Sequence, residues 1–427
     1  MKVRGKLTSS LMGSAGIYVF SQIINASIPF LLLPIITRYL TPEEFGIYSM
    51  FKVVAGLVFS FIGIGINGAI TKVYYEKQKK ELAKYIANSF FLVTLNSILM
   101  FLLFSILPGF FSSVTIIPEQ WLWSVILVSY GKVLFQVTLV IWQVQNKPFK
   151  YATFQIVQTA LNFGMNLWFV IALGLNWQGA VLAETIAFFG FGFIGLIILQ
   201  VNGWLNFRIN KQDINHIIKF GAPLIPHVIG MYIITASDRF LITNLIGVRE
   251  TGIYAVGYQI GMIIMIIQDS FNKAWVPWLF SNLKAGSLDL KSKIVKFTYV
   301  YYIVILLMAL GLSAISPLII KIFIGPGYEA AGQFVVWLAI GYAFNGMYKM
   351  VTNYIFYVEK TYYLAYVTFL TAILNLVISY ILIKLAGAVG AAQATAISYF
   401  ISFLLTWYIS NKVYPMPWSV VYRRASK

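Results

Sequence analysis

The sequence predicts an all-α integral membrane protein with twelve transmembrane helices. Of its 427 residues, 60% are hydrophobic and only 10% are charged, which is too few charges to cover the surfaces of soluble domains of this length. A bilayer core about 30 Å thick needs roughly 20 helical residues, and apolar runs of that length recur along the whole chain. The predicted spans cover residues 14–37, 46–70, 86–107, 121–143, 152–174, 180–201, 222–246, 253–274, 294–315, 334–356, 364–384 and 392–409.

The first two spans show how these elements are delimited. Lys2, Arg4 and Lys6 precede the first apolar run, which is too long for a secretory signal and is predicted to be the first span. The second helix is predicted to start at Thr41-Pro42-Glu43-Glu44. Thr at the N-cap, Pro at the first helical position and Glu at the third form a capping box, with negative charge near the positive end of the helix dipole. These glutamates are therefore interpreted as structural rather than catalytic.

Both chain termini are predicted to be cytoplasmic. The basic residues concentrate in every second connection, whereas the alternate loops contain only Arg38, Arg249, Lys321 and Lys384. An excess of Lys and Arg marks the cytoplasmic loops of membrane proteins. Because both termini fall on the same side, the number of crossings is even.

The chain contains an internal repeat. The segment Thr37-Arg38-Tyr39-Leu40-Thr41-Pro42-Glu43-Glu44-Phe45-Gly46-Ile47-Tyr48 has a counterpart at residues 243–254, and both join the first two spans of a half. Leu161-Asn162 is echoed by Leu374-Asn375, and Gly179-Ala180 by Gly390-Ala391. We predict two six-helix halves, 1–205 and 206–427, which share one orientation and are related by an axis along the membrane normal. This arrangement recurs in transporters that bind their substrate between the halves.

Ionisable residues inside the spans mark the predicted binding site. A charge at the centre of a membrane helix costs about 2.5–3.5 kcal/mol unless it faces a partner or water. Basic side chains suit phosphate or carboxylate, and amides suit hydroxyl-rich sugars, although each amide could instead join helices. We predict that these side chains line an aqueous cavity between the halves. The predicted substrate-binding residues are Arg239, Lys52, Lys132, Lys349, Gln22, Asn25, Gln136, Asn162 and Asn345.

Three intramembrane carboxylates, Asp238, Glu184 and Asp269, could couple transport to ions or simply pair with the basic residues; Asp269, for example, could pair with Lys273. The chain has no cysteine and only two histidines, so neither a metal site nor a catalytic thiol is expected. No phosphate-binding loop is found, and no connection leaves room for a soluble catalytic domain. We expect no cofactor, no enzymatic activity and no nucleic-acid partner, and a proton or sodium gradient is a candidate energy source.

The repeated segment at residues 37–48 and Ser237-Asp238-Arg239-Phe240-Leu241-Ile242 in the seventh span resemble the polysaccharide-transporter (Wzx-type) flippases of the multidrug/oligosaccharidyl-lipid/polysaccharide (MOP) exporter superfamily. The resemblance implies two six-helix bundles like those of MATE exporters and MurJ-like lipid II flippases. It implies transfer of undecaprenyl-diphosphate-linked oligosaccharides by alternating access across a bacterial inner membrane, for O-antigen, lipopolysaccharide or capsule synthesis. A polymerase and a chain-length regulator are the implied partners. Arg239 and Lys52 match basic positions of the family.

Three alternatives remain open. A MATE-like multidrug exporter normally expels cations, which a basic lumen would repel. A lipid II flippase is a second alternative, but many of these proteins have more than twelve spans, whereas twelve are predicted here. A membrane-embedded polymerase or glycosyltransferase would need an acid/base cluster at one membrane face, and the sequence offers none that is convincing.

Overall fold

The computed structural model describes residues 17, 24–25, 27–28, 30–222, 225–285 and 288–419. These residues are helical almost throughout, and no strand occurs among them. The helices of the first part are α1 (Phe30–Tyr39), α2 (Pro42–Gly63), α3 (Ile66–Tyr74), α4 (Lys79–Ile106), α5 (Pro108–Thr115), α6 (Leu122–Val144), α7 (Pro148–Asn166), α8 (Asn176–Val201) and α9 (Lys211–Gly221). Those of the second part are α10 (Ile225–Leu245), α11 (Val248–Ala285), α12 (Leu288–Phe323), α13 (Gly332–Tyr357), α14 (Tyr362–Ala386) and α15 (Ala388–Val413).

The protein is a multi-pass membrane protein. Within the described ranges, nine helical segments are long and apolar enough to cross a bilayer, and they comprise α2, α4, α6, α8 and α11 to α15. The predicted spans at α7 and α10 fall outside this set because glutamines and asparagines lower the hydropathy of α7 and the Asp238-Arg239 pair lowers that of α10. The first predicted span is described as a continuous helix only from Phe30. The count of twelve spans and the cytoplasmic termini remain predictions.

The predicted start of the second helix is confirmed. The Thr41 hydroxyl accepts a hydrogen bond from the Glu44 amide at 3.3 Å, and the Glu44 carboxylate accepts one from the Thr41 amide at 2.9 Å. Pro42 occupies the first helical position. The capping box satisfies amides that no preceding carbonyl can reach, which supports the structural interpretation of Glu44.

The predicted continuous span 46–70 is wrong in one respect, because the helix is interrupted. Ile64 and Gly65 have φ values of 39° and 61°, in the left-handed region that ends a right-handed helix. α2 therefore ends at Gly63, and the short helix α3 begins at Ile66. The break gives α3 its own direction and brings Asn67 to α6, where its amide donates to Gln136 Oε1 at 2.8 Å.

Contacts divide the chain into two compact units, Met1–Tyr232 and Ile233–Lys427. In the first unit α6 packs against α2, α4 and α8, and in the second α13 packs in the same way against α11, α12 and α15. Gly131 permits the close approach of α6 to α8, since a Cβ there would lie 2.6 Å from the backbone of Phe188 and Phe189. Gly341 occupies the corresponding place on α13 against Ala396 of α15. Small residues allow membrane helices to pack this closely. The predicted repeat boundary near residue 205 remains a prediction.

The amphipathic helix α9 is not among the predicted spans, since it is too short and polar to cross a membrane. It packs against α3 and α4. Lys77 pairs with the buried Asp213 at 2.7 Å, and the Tyr85 hydroxyl lies 2.9 Å from His216 Nδ1. These two contacts join α9 to the connection between α3 and α4 and to α4 itself.

Candidate functional site

The residues predicted from the sequence fall into groups within each compact unit. In the first unit, Lys132 of α6 pairs with Glu184 of α8 at 2.6 Å. The close contact at Gly131 explains this pair, because it brings the neighbouring Lys132 within reach of α8. Glu184 also accepts a hydrogen bond from the Tyr48 hydroxyl at 3.1 Å. Its side chain is only 5% exposed and that of Lys132 is 21% exposed, so the pair is largely shielded from solvent.

Lys52 lies beside this cluster. Its ammonium is 5.2 Å from the centroid of the Tyr48 ring, and it acts electrostatically on Glu184. Lys52 is exposed, in contrast to Glu184. The first unit thus has two cations around one buried carboxylate, and Lys132 is the one in direct contact with it.

A polar cavity of about 550 Å³ adjoins the charge cluster in the first unit. Ligand pockets of proteins usually measure about 300–1,000 Å³. The wall combines one cation with amides, two hydroxyl-bearing side chains and apolar or aromatic surfaces, and the described residues that line it include no carboxylate. They are Asn67 of α3, Lys132, Phe135, Gln136, Leu139, Val140 and Gln143 of α6, Tyr151, Gln155, Gln158 and Thr159 of α7, and Phe188 of α8.

Of the predicted amides of the first unit, Gln136 lines the cavity. Asn25 contacts its wall, because the Thr159 hydroxyl donates to Asn25 Oδ1 at 2.5 Å. Asn162 lies one turn further along α7, where it accepts a hydrogen bond from Asn166 Nδ2 at 2.9 Å. Gln22 lies outside the described residues. The structure therefore brings Lys132, Gln136 and Asn25 together, and it places Asn162 in a contact within its own helix.

Arg239 and Asp238 form the main cluster at the start of the second unit. The Arg239 guanidinium carbon lies 3.9 Å from the centroid of the Tyr258 ring, which is a cation–π contact. Asp238 is 3% exposed, and it accepts hydrogen bonds from the Tyr254 hydroxyl and, at 2.7 Å, from the Arg239 amide. Tyr254 and Tyr258, one turn apart on α11, thus contact the carboxylate and the guanidinium of two adjacent residues of α10.

A second polar contact in this unit joins α11 to α13. Lys349 forms an ion pair with Asp269, so Asp269 pairs with a residue of another helix. Asn345, one turn before Lys349, accepts a hydrogen bond from Gln268 Nε2 at 2.8 Å. The predicted residues Lys349, Asn345 and Asp269 are therefore close together, and all three take part in contacts between helices.

Two tyrosines of the site, Tyr48 and Tyr254, were not among the residues predicted from the sequence. Each binds a buried intramembrane carboxylate, Glu184 in the first unit and Asp238 in the second. A signal for them existed, because both end the repeated segment at equivalent positions. The carboxylates themselves come from different helices, α8 and α10, so the repeat preserves the tyrosine but not its partner.

The described residues include no group of three or more histidine or acidic side chains that could hold a metal ion. They do form paired charges, interhelical amide contacts and a polar cavity. This arrangement can solvate a polar molecule within apolar helices, since hydrogen-bonding groups inside a membrane must be satisfied by the protein, by water or by a ligand.

Comparisons with known proteins agree with this description. A family model described as "Polysaccharide biosynthesis protein" matches residues 11–283. A Haemophilus influenzae relative described as an uncharacterized membrane protein is 25% identical over 394 residues, which cover 91% of this chain and 92% of the relative. Among solved structures, an inward-facing multidrug resistance MATE family transporter of the MOP superfamily has a TM-score of 0.76 at 12% identity, covering 91% of this chain and 94% of that one.

The lipid II flippase MurJ, in an inward closed conformation, has a TM-score of 0.74 at 16% identity, covering 93% of this chain and 87% of that one. At such identities the solved structures show the fold alone, and they confirm the predicted MATE- and MurJ-like architecture. The family model covers well over half of the chain, so the resemblance inferred from the sequence is confirmed. The chain belongs to the polysaccharide biosynthesis protein family and has the fold of the MOP superfamily transporters.

Proposed function

We propose that this protein is a flippase that moves undecaprenyl-diphosphate-linked oligosaccharides from the cytoplasmic to the outer leaflet of a bacterial inner membrane. The observation that carries the proposal is the polar cavity of the first unit, with Lys132 and five amides in its wall. Membership of a polysaccharide biosynthesis family and the MOP transporter fold support it. The cargo would be a repeat unit of O-antigen, lipopolysaccharide or capsule.

A cavity of this kind suits a cargo that is polar at one end. Polar side chains within membrane helices are costly unless they are satisfied, and glycan hydroxyls can both donate to and accept from amides. The isoprenoid tail needs no polar cavity and would remain in the lipid. Only the head group would therefore move through the protein, by the alternating access that the sequence repeat predicts.

The diphosphate is the anionic part of the proposed cargo, and Arg239 is the side chain best suited to it. A guanidinium presents a planar fork that can donate two parallel hydrogen bonds to one phosphate. Stacking on Tyr258 at 3.9 Å orients that plane. Lys52 is a second candidate, since its side chain is exposed. Lys132 and Lys349 are less suited, because each forms an ion pair with a carboxylate.

Energy coupling belongs to the proposal as well. Asp238, Glu184 and Asp269 are the candidate carboxylates for a proton or sodium gradient, and each has a partner in the structure. Transport that continues unchanged after collapse of both gradients would exclude coupling. A polymerase and a chain-length regulator are the proposed protein partners, since both act on the translocated repeat unit.

The main alternative, a MATE-like exporter of cationic drugs, fits the cavity less well. A cationic ligand calls for a carboxylate in the wall, but the described lining residues provide an ammonium and neutral groups. A membrane-embedded polymerase is disfavoured by the transporter fold. The phenotype of cells that lack the protein distinguishes our proposal from both of these alternatives and from lipid II transport.

The test is controlled depletion of the protein in the bacterium that encodes it. We expect surface glycan to fall and lipid-linked oligosaccharide to accumulate in the cytoplasmic leaflet, with both effects reversed by a plasmid copy. Arrest of peptidoglycan synthesis would instead indicate lipid II transport. Increased drug sensitivity with normal surface glycan would contradict the proposal in favour of an exporter.

A further inference from the structure

We propose that the polar cavity of the first unit recognises uncharged sugar residues and does not bind the diphosphate. This inference rests on the proposed function and assigns the sugars and the diphosphate of the cargo to different binding sites. The first observation is electrostatic. Lys132 is the one cation among the described residues that line the cavity, and it is neutralised by Glu184 at 2.6 Å. An incoming diphosphate would have to displace a buried carboxylate that Tyr48 also holds.

The second observation is a set of hydrogen-bonding atoms without partners. Asn67 Oδ1, Gln155 Oε1 and Gln158 Nε2 belong to cavity-lining side chains, are buried, and have no hydrogen-bond partner among the described residues. Gln158 is only 3% exposed. Buried polar groups in proteins are almost always paired, so these unpaired amide atoms of cavity-lining side chains are groups that water or a ligand would complete.

The chemistry of these atoms selects the class of ligand. Two are acceptors and one is a donor, so the ligand must both donate and accept hydrogen bonds. Hydroxyl groups and N-acyl groups of sugars do both, whereas a fully ionised diphosphate can only accept. Phe135, Tyr151 and Phe188 add aromatic surface to the same wall, against which the apolar C–H faces of a sugar ring can pack. We therefore assign the cavity to neutral hexose or N-acylhexosamine residues of the cargo.

Three synthetic lipids with the same polyprenyl diphosphate test the assignment. One carries a neutral N-acetylated disaccharide, one carries a disaccharide of the same size that contains a uronic acid, and one carries no sugar. Their affinities would be measured for the purified full-length protein in lipid nanodiscs. We expect the neutral glycolipid to bind about tenfold more tightly than the sugar-free lipid, which is the effect of one or two well-placed hydrogen bonds. The acidic glycolipid should bind more weakly than the neutral one.

The variant Gln158→Leu keeps the approximate size of the side chain and removes its hydrogen bonds. We expect it to abolish most of the preference for the neutral glycolipid while leaving affinity for the sugar-free lipid within about twofold. Gln155→Leu should act in the same direction, which covers the case that one variant fails to fold. Gln200→Leu is the matched control, because Gln200 is exposed near the end of α8 and does not line the cavity.

The double variant Lys132→Met/Glu184→Gln tests whether Lys132 binds the diphosphate. It removes both charges and should leave affinity for the sugar-free lipid unchanged, whereas a loss of more than about tenfold would identify Lys132 as a diphosphate ligand and overturn the assignment. Equal binding of all three lipids, tighter binding of the acidic one, or equal loss for both lipids in Gln158→Leu would also overturn it. Failure of the wild-type protein to bind any of the lipids would instead contradict the proposed flippase function.

Discussion

Replacing Lys132 by Met is expected to lower the free energy of unfolding by about 3–5 kcal/mol, because Glu184 then stays buried without its cation. Glu184 is 5% exposed, and Lys132 lies 2.6 Å from its carboxylate. The Tyr48 hydrogen bond would remain, but a neutral donor cannot replace a positive charge in a low-dielectric surrounding. The loss would be measured as a shift of the unfolding midpoint of the purified protein in detergent.

Two variants make this prediction specific. Lys132→Met/Glu184→Gln leaves no uncompensated charge and should regain most of the stability, since replacing a whole buried pair is often neutral. Lys72→Met breaks an ion pair with Glu76 whose side chains are 54% and 53% exposed, and such pairs contribute about 1 kcal/mol or less. If Lys132→Met were no more destabilising than Lys72→Met, the buried pair would not have the structural role assigned to it.

Replacing Arg239 by Lys is expected to reduce transport by about tenfold or more, although the charge is retained. Lysine has neither the planar face that stacks on Tyr258 at 3.9 Å nor the fork that binds phosphate through two hydrogen bonds. A tenfold loss corresponds to about 1.4 kcal/mol, which is roughly the contribution of one hydrogen bond to a charged group. The readout is surface glycan in cells that contain equal amounts of the variant and the wild-type protein.

The matched control is Arg249→Lys, which changes the same residue type at a position where the Arg side chain is 56% exposed. This control should support normal glycan output. Normal output from Arg239→Lys as well would remove Arg239 from the proposed diphosphate site, and Lys52 would become the remaining candidate.

The long apolar helices and the cap of α2 were predictable from local sequence. Long apolar runs gave the all-helical membrane class, and Thr41 and Glu44 gave the start of α2 to the residue. The interruption at Ile64 and Gly65 was not predictable in the same way, because both neighbouring segments are apolar and glycines are tolerated in membrane helices. Hydropathy cannot register a change in backbone direction within an apolar run.

The pairing of the site residues could not be predicted, because it depends on which helices meet. Glu184 lies 52 positions from Lys132, and only the packing of α6 on α8 at Gly131 shows that the two are partners. The amides of α7 and the charges of α10 are unusual for membrane helices, and several of these residues make polar contacts in the structure. Whether each of them binds cargo is a property of the transport cycle and is not encoded in the local pattern.

Reconstituted transport is the decisive test of flippase activity. Purified protein would be placed in vesicles that contain a fluorescent polyprenyl-diphosphate oligosaccharide, and the fraction of label accessible in the outer leaflet would be followed by quenching with an impermeant reagent. The proposed function predicts that the protein speeds exchange between leaflets well above the rate in protein-free vesicles, and that Arg239→Lys slows this exchange. Exchange that matches protein-free vesicles, with folded protein present at the same density under every imposed gradient, would contradict it.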